Sequence, residues 1–221
     1  MSRVRVKICG IREEEDILAA VGAEADYLGF VVGVPSSPRN LSVKTAHRLM
    51  ERVPDRIKKV AVTVKARPDF EERLSFLLSA LAPDIVQLHG HESPIPVSIR
   101  QNFAEVEFIG TVSIRDESCL SEGLALSKVF DGIHADSYVN DLSGGTGKTH
   151  DWKLSARVRD LIDPTPLTLA GGLSQDNVAE AIRIVRPFAV DVSTGVERSL
   201  GVKDHNKIFE FVKRAKEVSL S

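Results

Sequence analysis

Cysteine is scarce in this 221-residue chain, with only Cys9 and Cys119 present. Two are too few for a disulfide framework, so a reducing, cytoplasmic setting is expected. No apolar run approaches the length of a membrane-spanning helix, and the amino terminus lacks the hydrophobic stretch of a secretory signal. Neither sign of charge dominates. The balance of 29 basic against 31 acidic residues gives −2, with no global attraction to nucleic acid or to an anionic membrane. No Pro/Gly/Ser-rich linker interrupts the chain, so one domain over residues 1–221 is expected.

What the chain does have is alternation. Val4, Val6 and Ile8 alternate with Arg5, Lys7 and Cys9, the period of a strand with two unlike faces, and Gly10 ends it. Ile11 to Ala20 reads as the helix that follows, acidic in its first turn. Further strands are predicted at Asp26–Val32, Lys59–Val64, Ile85–His89, Phe108–Val112, Phe130–Asp136, Leu167–Ala170 and Ala189–Val192. Helical segments fall between them, with Ser42, Asp151 and Ser174 as caps and Pro68 near the start of the third. After the fourth strand, Pro94 and Pro96 crowd the helix start. The last helix is expected from about Asp204 to Val218.

Eight such units of about 28 residues each sit near the lower size limit of a (β/α)₈ barrel, an α/β fold. A doubly wound open sheet is the rival. It lacks its signature here, because no Gly-x-Gly-x-x-Gly follows the first strand, and closure removes both sheet edges.

In such barrels the reacting groups stand at the carboxyl ends of strands. Cys9 ends the first strand and Asp136 the sixth, so the two should face each other across the mouth as base and acid. Each has a plainer reading, a small buried hydrophobe for Cys9 and a cap for Asp136. Lys7 lies one period below Cys9. It is read either as a substrate-binding cation that favours a thiolate at Cys9 and helps hold the negative charge developing on the substrate, or as a barrel-interior lysine paired with a carboxylate such as Asp191. Arg39, in the second loop, is either a bidentate reader of carboxylate or phosphate or a solvated surface residue.

Gly171-Gly172 after strand seven and Ser193-Thr194-Gly195 after strand eight offer bare backbone amides where this fold places a phosphate. Alone, either glycine site could be an ordinary turn into a helix; both together favour phosphate. The loop Ser143–Thr149 tempts a nucleotide-binding reading, but Leu142 stands where the Walker pattern needs a Gly (or Ala). It is read as a Gly-rich active-site loop. His89 and His91 suggest a metal, but no third ligand accompanies them at a recognisable spacing. No metal is expected, and His89 is read as pointing into the barrel mouth.

Seven stretches then share one likeness. Lys7–Ile11, Gly29-Phe30-Val31, Ser37-Pro38-Arg39, Val86–Gly90, Gly144–Thr149 with Asp151-Trp152, Ala170–Leu173 and Val190–Glu197 resemble the phosphoribosylanthranilate isomerase family, in that family's order and over nearly the whole chain. The resemblance implies a cofactor-free step of tryptophan biosynthesis. In it N-(5′-phosphoribosyl)anthranilate, a phosphorylated small molecule, becomes 1-(2-carboxyphenylamino)-1-deoxyribulose 5-phosphate by an Amadori rearrangement.

It implies Asp136 as general acid on the ribose ring oxygen, Cys9 as the base at C2′, and Arg39 on the anthranilate carboxylate. The Gly171-Gly172 and Ser193-Thr194-Gly195 loops would take the phosphate. His150 stands where the family has a Phe, and Thr194 where Ser is commoner. Monomer and homodimer both stay open. The rivals are a histidine-pathway isomerase, which runs the same chemistry with two Asp, and indole-glycerol-phosphate synthase, whose catalytic lysines have only Lys7 as a candidate. A non-catalytic phosphate-metabolite barrel would need neither Cys9 nor Asp136.

Overall fold

Val4, Val6 and Ile8 point outward from the first strand into the apolar layer beneath the helices, while Lys7 and Cys9 point into the barrel. The computed structural model describes residues 3–64, 69–90, 94–137 and 150–219. Within them β1 (Arg5–Cys9), β2 (Tyr27–Val31), β3 (Lys58–Val64), β4 (Ile85–His89), β5 (Glu107–Ile114), β6 (Gly132–Ser137), β7 (Leu167–Leu169) and β8 (Ala189–Val192) close into one parallel barrel in chain order. The (β/α)₈ architecture is the one expected. Around it run α1 (Glu14–Gly22), α2 (Val43–Met50), α3 (Phe70–Leu81), α4 (Val97–Asn102), α5 (Ser118–Ser127), α6 (Trp152–Ile162), α7 (Val178–Val185) and α8 (His205–Lys216). Among the described residues no helix is long and apolar enough to cross a membrane.

The two faces of the barrel wall are chemically distinct. Outside, Ile8, Leu28, Phe30, Leu88, Ile133 and Val190 are fully buried against the helices. Each such side chain contributes about 1.5–3 kcal/mol relative to exposure. Inside, Tyr27, Val60, Val62 and Ile85 fill the barrel's apolar layer. Lys7, Gln87, His134 and Asp191 make the polar interior. Register places them: β1 pairs with β8 so that Lys7 lies opposite Asp191.

Local signals set several boundaries. Ser42 caps α2 by accepting from the Thr45 amide, and Asp151 caps α6 by accepting from Lys153. Two helices begin later than expected. Ile11 is buried in the loop after β1, where Gly10 and Ile11 both donate to the Gly29 carbonyl, so α1 starts only at Glu14. Ser174 does not cap α7. Its amide donates to Asn177 Oδ1 and its hydroxyl accepts from Asp176, forming a turn that delays the helix to Val178. A hairpin that was not anticipated, β9 (Glu197–Ser199) with β10 (Val202–Lys203), precedes α8. Pro68, His91 and the Ser143–Thr149 loop lie outside the described residues.

Candidate active site

Closure brings the carboxyl ends of β6, β7 and β8 around a cavity of about 370 Å³. Arg39, Asp136, Gly171, Gly172, Ser193, Thr194 and Gly195 all line it, although they come from four separate loops and strand ends. Cys9, Lys7 and His89 do not line it; Cys9 and Lys7 are buried within the barrel and His89 is half-buried.

Asp136 is the penultimate residue of β6, half-buried, and its Oδ1 accepts from the Ser137 amide at 2.7 Å. Burial pushes its carboxyl above the ordinary range, with Asp191 pushing the same way. An acid that keeps its proton is thereby favoured. Gly171 packs directly over this carboxyl. Its φ of +79° is open to glycine, and a Cβ there would run into the Ser137 hydroxyl and amide and come within 2.9 Å of Asp136 Oδ1.

Cys9 is buried, at 8% exposure. Burial pushes its thiol up, and the cations Lys7 and Lys203 pull against that without overcoming it. Lys7 does not spend its charge on the thiol alone. Its Nζ donates to Asp191 Oδ2 at 3.0 Å and to Gln87 Oε1 at 2.9 Å. Asp191 also receives His134 Nε2 at 2.8 Å. Burial alone would raise the Asp191 carboxyl, but Lys7 and His134 hold it far below the carboxylate range. Cys9 and Asp136, three strands apart round the barrel, thus both feel Lys7 and Asp191.

Gln87 donates in turn from Nε2 to His89 Nε2 at 3.0 Å, since its Oε1 is already occupied by Lys7. His89 must accept there, which puts its ring proton on Nδ1. Burial, with His134 adding to it, lowers the His89 pKa to about 3, so the ring is neutral. Among the described residues no cluster of His, Cys, Asp and Glu could hold a metal ion.

Arg39 is neither solvated nor free. It is buried, and its Nε and Nη2 fork onto Glu197 at 2.6 and 2.8 Å, with Nη2 also on Thr194 Oγ1 at 3.1 Å. The bidentate carboxylate it reads in this structure is internal. Among the described residues Nη1 is the edge without a partner, and the side chain still lines the cavity. Lining the same cavity, the Ser193 hydroxyl is buried with no partner among the described residues, a polar atom that a ligand oxygen would satisfy. Gly195 lies so close to the loop after β7 that any Cβ would collide with the Leu173 carbonyl.

Glu197 and Lys203 are the site residues that sequence reasoning missed. Glu197 lies two positions past Gly195, and that nearness to the loop was its signal; its burial and its pairing with Arg39 and Lys203 were not legible. Lys203 carried none.

Residues 6–214 match the family described as N-(5′-phosphoribosyl)anthranilate isomerase. The chain is 40% identical over 212 residues to the N-(5′-phosphoribosyl)anthranilate isomerase of Halorubrum lacusprofundi, covering 96% of both chains. Among solved structures, monomers generated from the dimeric phosphoribosylanthranilate isomerase of Thermotoga maritima superpose with a TM-score of 0.80 at 38% identity, over 96% of this chain and 98% of that one. A phosphoribosylanthranilate isomerase in complex with reduced 1-(o-carboxyphenylamino)-1-deoxyribulose 5-phosphate superposes with 0.79 at 36% identity, with the same coverage. The chain belongs to the N-(5′-phosphoribosyl)anthranilate isomerase family.

Proposed function

We propose that this isomerase converts N-(5′-phosphoribosyl)anthranilate to 1-(2-carboxyphenylamino)-1-deoxyribulose 5-phosphate in tryptophan biosynthesis, with Asp136 as general acid and Cys9 as base. The observation that carries this reading is convergence. A raised carboxyl, an arginine edge and two loops of close-packed glycine share one cavity, beside a strand-end thiol.

Asp136 gives its proton to the ribose ring oxygen as the C1′–O bond breaks, and the anthranilate nitrogen supplies the electron pair for a protonated Schiff base. Cys9, as thiolate, removes the C2′ proton and leaves an enolamine. Tautomerisation to the ketone takes one proton off the C2′ hydroxyl and puts one on C1′. The base and acid need that same exchange to return to their starting forms. Arg39 Nη1 is the donor left for the anthranilate carboxylate, and the Ser193-Thr194-Gly195 and Gly171-Gly172 loops take the phosphate. Substrate made in situ is expected to lose its anthranilate-type fluorescence catalytically when the protein is added. A change proportional to protein, without turnover, would make the chain a binding barrel instead.

The phosphate assignment has its own test. Replacing Gly195 or Gly171 with Val forces the loop backbone apart, so KM is expected to rise roughly tenfold or more while kcat falls less. Steady-state kinetics with inorganic phosphate as competitor check this, and a folded variant with unchanged KM removes these loops from the binding site.

A further inference from the structure

The Ser193 carbonyl is held by a lysine that has no role in the chemistry above. Lys203, on β10, is buried, and its Nζ donates to Ser193 O at 3.0 Å and to Glu197 Oε1 at 3.2 Å. Glu197 is the hub. Its two oxygens take the Arg39 fork, Lys203, and the Gly201 amide at 3.0 Å. One carboxylate therefore joins the loop after β2 to the loop after β8 through two cations.

The consequence follows from peptide geometry. In a trans peptide the carbonyl and the next N–H point in opposite directions. Anchoring Ser193 O on Lys203 therefore turns the Thr194 N–H away from that ammonium. Thr194, Gly195 and the unpartnered Ser193 hydroxyl all border the cavity. Arg39 borders it too, held through the same Glu197.

We infer that Lys203 is a positioning residue for substrate binding: its buried ammonium sets the Ser193-Thr194-Gly195 loop for the phosphate and, through Glu197, steadies Arg39 for the carboxylate at the other end of the same substrate. This rests on the phosphate and carboxylate roles proposed above. Nothing in it requires Lys203 to touch substrate. The hairpin of β9 and β10 acquires a purpose, because it carries the lysine back beneath the loop that it anchors.

The test is Lys203→Met, assayed for KM, kcat and inhibition by inorganic phosphate beside the parent enzyme. KM and the phosphate inhibition constant are each expected to rise about tenfold, the scale of a lost charge-assisted hydrogen bond, with kcat changed less than about threefold. A merely structural lysine would lower Tm without separating KM from kcat. A folded variant with the parent's phosphate inhibition overturns the inference, as does one in which kcat falls as far as KM rises. Should Lys203→Met not fold, Lys203→Met combined with Glu197→Gln removes both buried charges together and is judged against Glu197→Gln alone by the same criteria. If the parent enzyme is itself insensitive to inorganic phosphate, the phosphate site fails and this inference with it; sensitivity retained in the variant fails the inference alone.

Discussion

Cys9→Ala and Asp136→Asn are each expected to cut kcat by at least about 10²-fold while leaving the fold and inorganic phosphate binding nearly intact, the scale of a lost general acid or base. The fold should survive because neither side chain holds the barrel together. Asp136 accepts from the adjacent Ser137 amide, and Cys9 contributes a small side chain to the apolar interior.

The protonation states sharpen the expectation. Burial raises both groups, so the free enzyme favours a thiol at neutral pH. The reactive form needs the proton on Asp136 and not on Cys9. A plot of kcat/KM against pH is therefore expected to fall on both sides, with limbs that belong to the pair rather than to either residue. In Cys9→Ala the residual activity should lose the acid limb, since no base is left to be freed of its proton, and keep a fall at higher pH as Asp136 loses its own. Undiminished turnover in either folded variant removes that residue from the reaction.

The residues themselves announced the barrel and its active end. Strands β4 and β8 lie where their apolar runs placed them, and Ser42 and Asp151 cap where their types predict. Once the fold is a barrel, Cys9, Asp136 and the two glycine loops must stand at one end, because strand ends and the loops after them share a face. Partnership across the chain was not legible. Arg39 and Glu197 are 158 positions apart, and only closure of β8 against β1 brings the loops that follow β2 and β8 together. Strands of three and two residues, as in β9 and β10, are too short to show a period. Nor could periodicity foresee that Ile11 would be buried in a loop instead of beginning α1.

The largest stability effect is expected at Asp191. Its carboxylate joins Lys7 from β1 to His134 from β6 inside the barrel, and Asp191→Ala leaves a buried ammonium facing Gln87 and the Cys9 thiol with no carboxylate to pair it. Breaking one partner of a buried pair costs about 3–5 kcal/mol. The pH dependence follows from the direction of each shift. Asp191 is held below its ordinary carboxylate value by Lys7 and His134 against burial, so its contribution is full above about pH 4 and is lost as pH falls toward the folded value. Lys7, whose burial alone would lower it, is raised by Asp191, so its share is present below about pH 10 and is lost as pH rises through its folded value. Between those limits the pair is intact.

Denaturant unfolding of Asp191→Ala beside the parent is therefore expected to show a large gap at pH 7 that narrows steadily below about pH 4, since acid removes from the parent what the substitution removes from the variant. Lys7→Met combined with Asp191→Leu should recover part of the loss, because an apolar pair leaves no buried charge exposed to the barrel interior. A gap that stays constant from pH 7 down to pH 3 would mean that Asp191 stabilises the barrel by packing and not by its charge.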